Sequence, residues 1–285
     1  MPVPELVTVR REGPVCVLTL DRPDKLNALS SAVERELLDA LGGDEVGGSR
    51  CVVLAGAGRA FSAGADLTEV SRDDPAGIAA YYRDTGDVYE RFAALAQPTI
   101  AALHGYCLGG GLELALAADF RVADETAVLG LPEVALGIVP SSGGLHRLVR
   151  IVGPARAKEA MLLRERLGAR EGLALGLVTE VVAEGAAFER ALELADRVAS
   201  LPPLAVSVAK QAADLLAESS REAGVAVERL AALPPLAVSV AKQAADLLAE
   251  SSREAGVAIE RLAYGMLAQT EEARAAAEGF PRRKD

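Results

Sequence analysis

The stretch HGYCLGGGLELALAADFRV, residues 104–122, decides the fold of this chain, because it places three consecutive glycines between two apolar segments. Before it, PTIAALHG (98–105) has the short apolar character of a buried strand, and residues from about 110 to 118 read as a helix. Glycines at such a turn let another molecule approach the backbone, and the first N–H groups of a helix are unpaired donors. Glu113 lies inside the predicted helix, so its carboxylate is expected to be buried beside these donors.

This glycine turn, residues 109–111, fits more than one kind of site. Backbone amides aimed at a developing negative charge form an oxyanion hole. A phosphate-binding turn and simple tight packing are equally compatible with three glycines taken alone. However, LGGGLE lacks both the G-x-G-x-x-G spacing of dinucleotide-binding turns and the lysine of a P-loop.

The rest of the chain predicts an α/β core. VCVLTL (15–20) and RCVVLAG (50–56) read as strands, and SSAVERELLDALGG (30–43) between them reads as a helix that begins near Ser30. FRVADETAVLG (120–130) predicts a strand, a turn and a short strand. Strands that alternate with helices favour parallel pairing. Beyond residue 150 the sequence predicts helices, in GPARAKEAMLLRERL, AREGLALGL and FERALELADRVASL.

Composition and charge limit the possible functions. The chain has 285 residues, of which 51% are hydrophobic, and its net charge is −11. An acidic chain is poorly suited to nucleic acid or an anionic membrane, so we expect neither as a partner. Three cysteines and two histidines show no metal-site spacing, so we expect no metal and reduced core thiols. The N-terminus lacks the apolar segment of a signal peptide, which favours the cytoplasm.

A near-identical tandem repeat occupies the C-terminal region. LPPLAVSVAKQAADLLAESSREAGVAVERLAA (201–232) returns as residues 233–264 with two changes, Val227 to Ile259 and Ala232 to Tyr264. Each copy reads as a helix–turn–helix, and two copies are too few for a solenoid. We interpret the repeat as a recent or engineered tandem duplication. The predicted organisation is an α/β core over residues 1–200 and a helical region over 201–285.

A second turn rich in small residues, AGAGRAFSAGADL (55–67), follows another predicted strand. Together, RAFSAGADL, AALHGYCLGGGLELALAADFRVA and LGLPEVALGIVPSSGGLHRL resemble the signature segments of the crotonase superfamily, the enoyl-CoA hydratase/isomerase family. RPDKLNAL (22–29) resembles the coenzyme A loop of that family, and TEEARAAAEGFPRRK (270–284) resembles its C-terminal end. The resemblance covers the whole chain except one copy of the duplicate.

The resemblance implies a set of site residues. The amides of Ala65 and Gly110 would hold the thioester oxygen of an acyl-CoA, and Glu113 and Glu133 would be the two catalytic acids. Coenzyme A contacts are implied for residues on the N-terminal loop, on the second turn and in the basic tail: Lys25, Leu26, Ala28, Ala63 and Lys284. The acyl pocket is expected after Asp66, where Tyr81, Tyr82 and Tyr89 lie, although ordinary packing explains these tyrosines equally well.

The implied fold is a crotonase-like spiral of repeated β-β-α units with a helical C-terminal region, and the implied assembly is a homotrimer or hexamer. Two glutamates favour hydration of 2-enoyl-CoA, in which coenzyme A is part of the substrate and no separate cofactor is needed. We hypothesise that Glu133 activates the water while Glu113 shares the proton transfer. An enoyl-CoA isomerase or another CoA-thioester lyase is the alternative within the family. A non-catalytic RNA-binding or scaffold relative is the alternative from another class.

Overall fold

The computed structural model describes residues 5–66, 68–69, 88–133, 140, 142–163 and 166–217. The chain divides into two compact units, Met1–Ala199 and Ser200–Asp285. The first unit is a mixed α/β structure. The predicted boundary at residue 200 and the helical region 201–285 stay predictions, because most of that region lies outside the described residues.

Strands and helices alternate through the first unit. The strands are β1 (Val7–Glu12), β2 (Val15–Leu20), β3 (Cys51–Gly56), β4 (Thr99–Leu103), β5 (Tyr106–Leu108), β6 (Phe120–Asp124), β7 (Val128–Gly130), β8 (Leu167–Gly168) and β9 (Glu180–Val182). The helices are α1 (Ser31–Leu41), α2 (Asp44–Gly47), α3 (Gly110–Ala117), α4 (Gly144–Leu162), α5 (Ala169–Ala174) and α6 (Ala187–Ala199), and residues 88–93 are also helical. A short 3-10 turn spans Pro23–Lys25.

Two sheets organise these strands. The larger has the order β1-β2-β3-β4-β6-β9, in which β1 pairs antiparallel with β2 and the remaining pairs are parallel. The smaller has the order β5-β7-β8, with β5 parallel and β8 antiparallel to β7. In a parallel sheet the carboxyl ends of neighbouring strands meet at one edge, which is where ligands bind in α/β folds.

The central strands of the large sheet, β2, β3, β4 and β6, are buried on both faces, as their apolar sequences predict, whereas β1 at one edge is largely exposed. In β2, Cys16 and Leu18 belong to the main core, whereas Val15 and Val17 face a second cluster. Four alanines of α6, spaced four residues apart, form the other side of this second cluster: Ala187, Ala191, Ala195 and Ala199. Small side chains on one helical stripe let α6 lie close to the sheet.

Several predicted elements are confirmed. Residues 15–20 form a strand with the predicted ends, and α1 begins after Ser30, whose side-chain oxygen accepts the N–H of Val33 at 3.3 Å. The predicted helix GPARAKEAMLLRERL (153–167) ends too late, because α4 ends at Leu162 and residue 167 already belongs to β8. Its predicted start coincides with a kink at Gly153, where φ is 77°, and the part of α4 before this kink, from Gly144, was not predicted. Strands β1, β5, β8 and β9 were not predicted. The strands β5, β8 and β9 have only two or three residues and carry too little pattern, and the six-residue β1 has only two apolar side chains, Val7 and Val9.

In the second unit, the described part of the duplicate is the helix α7 (Pro203–Ala217). Pro203 is its first residue, a position that suits proline because the first N–H groups of a helix have no acceptor within the helix. The second copy, 233–264, lies outside the described residues.

Within the described ranges, no helix is long and apolar enough to cross a membrane. Cys16, Cys51 and Cys107 are buried free thiols.

Candidate active site

Asn27 joins the N-terminal loop to the turn after β3. Its side-chain amide donates to the carbonyl oxygens of Ala57 and Ala60, at 2.8 and 2.7 Å, and its Oδ1 accepts the N–H of Arg22 at 2.9 Å. The residue is 1% exposed and has φ of 54°, a left-handed conformation that asparagine tolerates better than most side chains. Asn27 therefore fixes the loop 22–29, which resembles a coenzyme A loop, against the turn rich in small residues, 55–67.

A short backbone ladder then positions Ala65. The N–H of Leu29 donates to Gly64 O, and the N–H of Asp66 donates to Leu29 O, each at 2.8 Å. These two bonds clamp the residues on either side of Ala65. The Asp66 carboxylate also pairs with the Arg22 guanidinium at 2.7 Å. Hydrogen bonds from Thr68 and Arg22 lower the pKa of Asp66 to about 2, so this ion pair is present at neutral pH.

Glycine is required where the second turn meets the glycine turn. Ser62 exchanges backbone hydrogen bonds with β5, through Tyr106 O at 2.9 Å and Leu108 N at 3.0 Å. A Cβ built on Gly111 would lie 2.6 Å from Ser62 O, and one built on Gly64 would lie 2.7 Å from Leu108 O. Neither position has room for a methyl group. The bare backbone brings two segments, far apart in the sequence, into direct contact.

The amides of Ala65 and Gly110 lie together at this contact. A Cβ built on Gly110 would be 3.5 Å from Ala65 N, and one built on Gly64 would be 3.3 Å from Gly110 N. Gly110 opens α3, so its N–H is one of the donors that a helix leaves unpaired. Within the part of the chain that the structure describes, neither N–H has a hydrogen-bond acceptor. We call these two N–H groups the amide pair.

Glu113 lies one helical turn into α3 and is 3% exposed. Its Oε1 accepts two backbone N–H groups, from Ser142 at 2.9 Å and from Gly144 at 3.0 Å. Gly144 is the first residue of α4, so the carboxylate also faces the positive end of that helix dipole. Donors at one oxygen and a helix N-terminus both stabilise the ionised form.

Glu133 has the opposite environment. It is 8% exposed, and its Oε2 has no hydrogen-bond partner among the described residues. A Cβ built on Gly109 would lie 3.3 Å from its Oε1, which places this carboxyl beside the glycine turn. The pKa of Glu133 is raised to about 7, mainly by burial. A backbone hydrogen bond lowers this pKa, and the charge of Glu113 contributes to raising it. Glu133 is therefore protonated in a large fraction of molecules at neutral pH.

A third buried acid, Glu34, was not predicted. It lies in the first turns of α1 and is 4% exposed. Tyr89 donates a hydrogen bond to its Oε1 at 3.2 Å, and the Tyr89 hydroxyl lies 3.0 Å from a Cβ built on Gly110. The sequence held one signal: Glu34 shares a helical face with Leu37 and Leu41, both of which are buried.

The remaining predicted site residues lie at different distances from this centre. Lys25, Leu26 and Ala28 belong to the loop that carries Asn27, and the N–H of Ala63 donates to Leu26 O at 2.9 Å. The Lys25 side chain is exposed. The predicted contact Lys284 lies outside the described residues, as do Tyr81 and Tyr82. Among the side chains that are described, no three His, Cys, Asp or Glu residues are grouped as a metal site.

Comparison with known proteins gives a consistent answer. The enoyl-CoA hydratase/isomerase family model matches residues 10–231. A 2,3-dehydroadipyl-CoA hydratase of Escherichia coli is 42% identical over 222 residues, which are 77% of this chain and 86% of that protein. A short-chain-enoyl-CoA hydratase of Clostridium acetobutylicum is 38% identical over 208 residues, 72% of this chain and 80% of that protein.

A solved structure agrees with the sequence comparisons. The enoyl-CoA hydratase of Bacillus anthracis superposes with a TM-score of 0.79 at 32% identity, over 96% of this chain and 95% of that one. The predicted crotonase-like α/β fold is confirmed by this likeness. Fold and sequence together place the chain among the hydratase-like enzymes: it belongs to the enoyl-CoA hydratase/isomerase family, the crotonase superfamily.

Proposed function

We propose that this protein adds water to 2-enoyl-CoA thioesters to give 3-hydroxyacyl-CoA, with the amide pair as oxyanion hole and Glu113 and Glu133 as the acid–base pair. The observation that carries the proposal is the contrast between the two carboxyls beside one glycine turn. Glu113 accepts two backbone N–H groups, whereas Glu133 Oε2 is buried without a partner among the described residues. One base and one acid are what the addition of water requires.

The amide pair suits the charge that develops during hydration. When a hydroxyl group adds to C3 of a 2-enoyl thioester, negative charge moves to the thioester oxygen as an enolate. Two N–H groups already fixed by the backbone ladder and by the start of α3 need no reorganisation to bind that oxygen. Losing one such donor costs about 3 kcal/mol of transition-state stabilisation in comparable enzymes.

The environments of the two acids support a division of roles that is the reverse of our sequence hypothesis. Glu113, held ionised, takes a proton from the attacking water, and the hydroxyl oxygen bonds to C3. Glu133, held protonated, gives its proton to C2 as the enolate collapses. The water thus supplies its hydroxyl group to C3 of the substrate and its proton to Glu113. Transfer of one proton from Glu113 to Glu133 then restores the starting state. Each acid is used in the form that its surroundings favour.

The test is the rate of crotonyl-CoA hydration, which is measured as the loss of absorbance of the conjugated thioester. We expect Glu113→Gln and Glu133→Gln each to lower kcat by at least about a hundredfold, because each variant removes one proton-transfer group. Glu184→Gln is the matched control, since it removes an exposed carboxylate from a loop of the same unit. Near-normal turnover by both site variants would contradict the proposal.

The same assay separates the alternatives. A 3-enoyl-CoA substrate that is converted faster than crotonyl-CoA would indicate an isomerase. Salt-dependent RNA binding without any hydratase activity would indicate a non-catalytic relative. The predicted coenzyme A contacts, including Lys284, the trimeric or hexameric assembly and the cytoplasmic location stay predictions that accompany this proposal.

A further inference from the structure

Glu34 is a buried acid that the proposed mechanism does not use. Its neighbours on α1, Val33, Leu37 and Leu41, belong to the main hydrophobic core. Glu34 Oε2 has no hydrogen-bond partner among the residues that the structure describes. By contrast, Glu36 on the same helix accepts the backbone N–H groups of β1 and the residue before it, at 3.0 and 2.7 Å. A buried carboxyl that fills no structural role of this kind requires a different explanation.

Two connections link Glu34 to the amide pair. The first runs through the side chain: Glu34 Oε1 accepts a hydrogen bond from the Tyr89 hydroxyl at 3.2 Å, and that hydroxyl lies 3.0 Å from a Cβ built on Gly110. Through the backbone, α1 starts just after Leu29, which pairs with Ala65 in an isolated bridge. Gly110 therefore lies beside the hydroxyl that hydrogen-bonds to Glu34, and Ala65 pairs with the residue two positions before the helix that carries Glu34.

The charge of Glu34 depends on three groups that face it. Burial raises the pKa of Glu34 to about 8, the hydrogen bond from Tyr89 lowers it, and the charges of Glu69 and Glu113 raise it. Tyr89 comes from the helical segment 88–93, Glu69 from the segment after Asp66, and Glu113 from α3. At neutral pH, Glu34 is predominantly a neutral carboxylic acid.

The neutral form of Glu34 matters because the amide pair must bind a negatively charged enolate oxygen in the proposed reaction. An enolate oxygen is stabilised by positive potential at the amides, and a negative charge near them in a poorly solvated interior opposes that potential. The Tyr89 hydroxyl contacts Glu34 and lies beside Gly110, so a charge on this acid would act close to the backbone that carries one amide.

We propose that Glu34 is a positioning residue for the amide pair. Protonated, it holds the Tyr89 hydroxyl beside Gly110 without adding charge; ionised, it places a negative charge near the amide pair and slows hydration. This inference rests on the proposed hydratase function, and it assigns to Glu34 an effect on the rate that is separate from the proton transfers of Glu113 and Glu133.

The test is the alkaline pH dependence of kcat/KM with crotonyl-CoA. In a plot of log kcat/KM against pH, loss of the Glu133 proton alone gives an alkaline limb with a slope of about −1. Ionisation of Glu34 as well steepens this limb toward about −2. We expect the steep limb in the wild type and in Asp39→Asn, which removes an exposed carboxylate from the same helix. In Glu34→Gln the slope stays near −1, so that one pH unit above the second ionisation it retains about tenfold more of its maximum activity.

Tyr89→Phe provides an independent variant. Because the Tyr89 hydrogen bond lowers the pKa of Glu34, its loss moves the second limb to higher pH, whereas a purely structural defect would lower activity at every pH. If Glu34→Gln is poorly folded, an infrared difference spectrum of the wild type against Tyr89→Phe reads the protonation of Glu34 directly. A titrating acid band that does not move between the two proteins would overturn the proposal.

The possible failures are distinguishable. If the wild type does not hydrate crotonyl-CoA, or if Glu113→Gln and Glu133→Gln are active, the proposed function fails. If those two variants are inactive as expected but the alkaline limb of Glu34→Gln superimposes on that of the wild type, only the role of Glu34 is refuted.

Discussion

Gly144 lies against the side chain of Glu113, so closely that a Cβ built on Gly144 would collide with Glu113 Cγ. The same glycine donates its N–H to Glu113 Oε1 at 3.0 Å. The start of α4 therefore both orients the carboxylate and requires a residue without a side chain. Any larger residue at position 144 must displace the proposed base.

Gly144→Ala should lower kcat by about a hundredfold, because a shift of about 1 Å in a reacting group has an effect of that size. The matched control is Gly47→Ala, since a Cβ built on Gly47 meets nothing within 4 Å. Crotonyl-CoA turnover and the thermal melting temperature should be measured for both variants. Full activity in Gly144→Ala would show that the position of Glu113 does not limit the reaction.

The Arg22–Asp66 ion pair should influence activity through Ala65. Asp66→Asn removes the charge that pairs with Arg22 at 2.7 Å and loosens the segment next to one amide. We expect kcat/KM to fall about tenfold to a hundredfold. Glu193→Gln, which breaks the exposed ion pair with Arg190, should leave kcat/KM unchanged. Equal activities of the two variants would mean that the Arg22–Asp66 ion pair does not position Ala65.

Asn27→Ala should destabilise the first unit by about 2–4 kcal/mol, since one buried and one half-buried carbonyl group lose their donor and alanine is strained at φ of 54°. Asn27→Gly loses the same hydrogen bonds without the strain, so it should be about 1 kcal/mol less destabilised. Urea unfolding of the three proteins gives the comparison. A smaller loss in the alanine variant than in the glycine variant would exclude backbone strain at this position.

The stability of the protein should depend on the protonation of Glu34. Burial raises the pKa of this acid from 4.5 to about 8, so the folded protein binds a proton that the unfolded chain releases. The Glu34 contribution to the free energy of unfolding is therefore intact below about 4.5 and is lost as the pH rises through about 8. Since one pKa unit corresponds to about 1.4 kcal/mol, the loss is about 5 kcal/mol when ionisation is complete.

Unfolding by urea at about pH 5 and about pH 8.5 measures this dependence. In Glu34→Gln the loss between the two values should be smaller than in the wild type by several kcal/mol. The control Asp39→Asn should behave like the wild type. An identical pH dependence in all three proteins would mean that the folded state does not hold Glu34 in its neutral form.

Much of the site was readable from the sequence because its parts are local. The glycine turn, the helix that follows it and the second turn each lie within about a dozen residues, and their patterns depend on backbone requirements that only small residues meet. Glu113 was identified because it lies in that helix. The resemblance then supplied Glu133 and Ala65, and the family and fold that it implied are confirmed.

Local sequence could not give the features that depend on contacts between distant segments. Glu34 and Tyr89 are 55 positions apart, and Glu113 and Gly144 are 31 apart. The side-chain bonds of Asn27 span as many as 33 positions. No periodicity records which helix face meets which loop, so these pairings became visible only in the folded structure.

The sequence by itself determined the main strands, the helices that follow them and the glycine-lined turns, because those choices follow from backbone freedom and the spacing of apolar side chains over a few residues. The tertiary structure alone decided the charge states of the acids. A carboxyl is ionised or neutral according to the donors, charges and solvent around it, and for Glu113, Glu133 and Glu34 those surroundings come from distant parts of the chain.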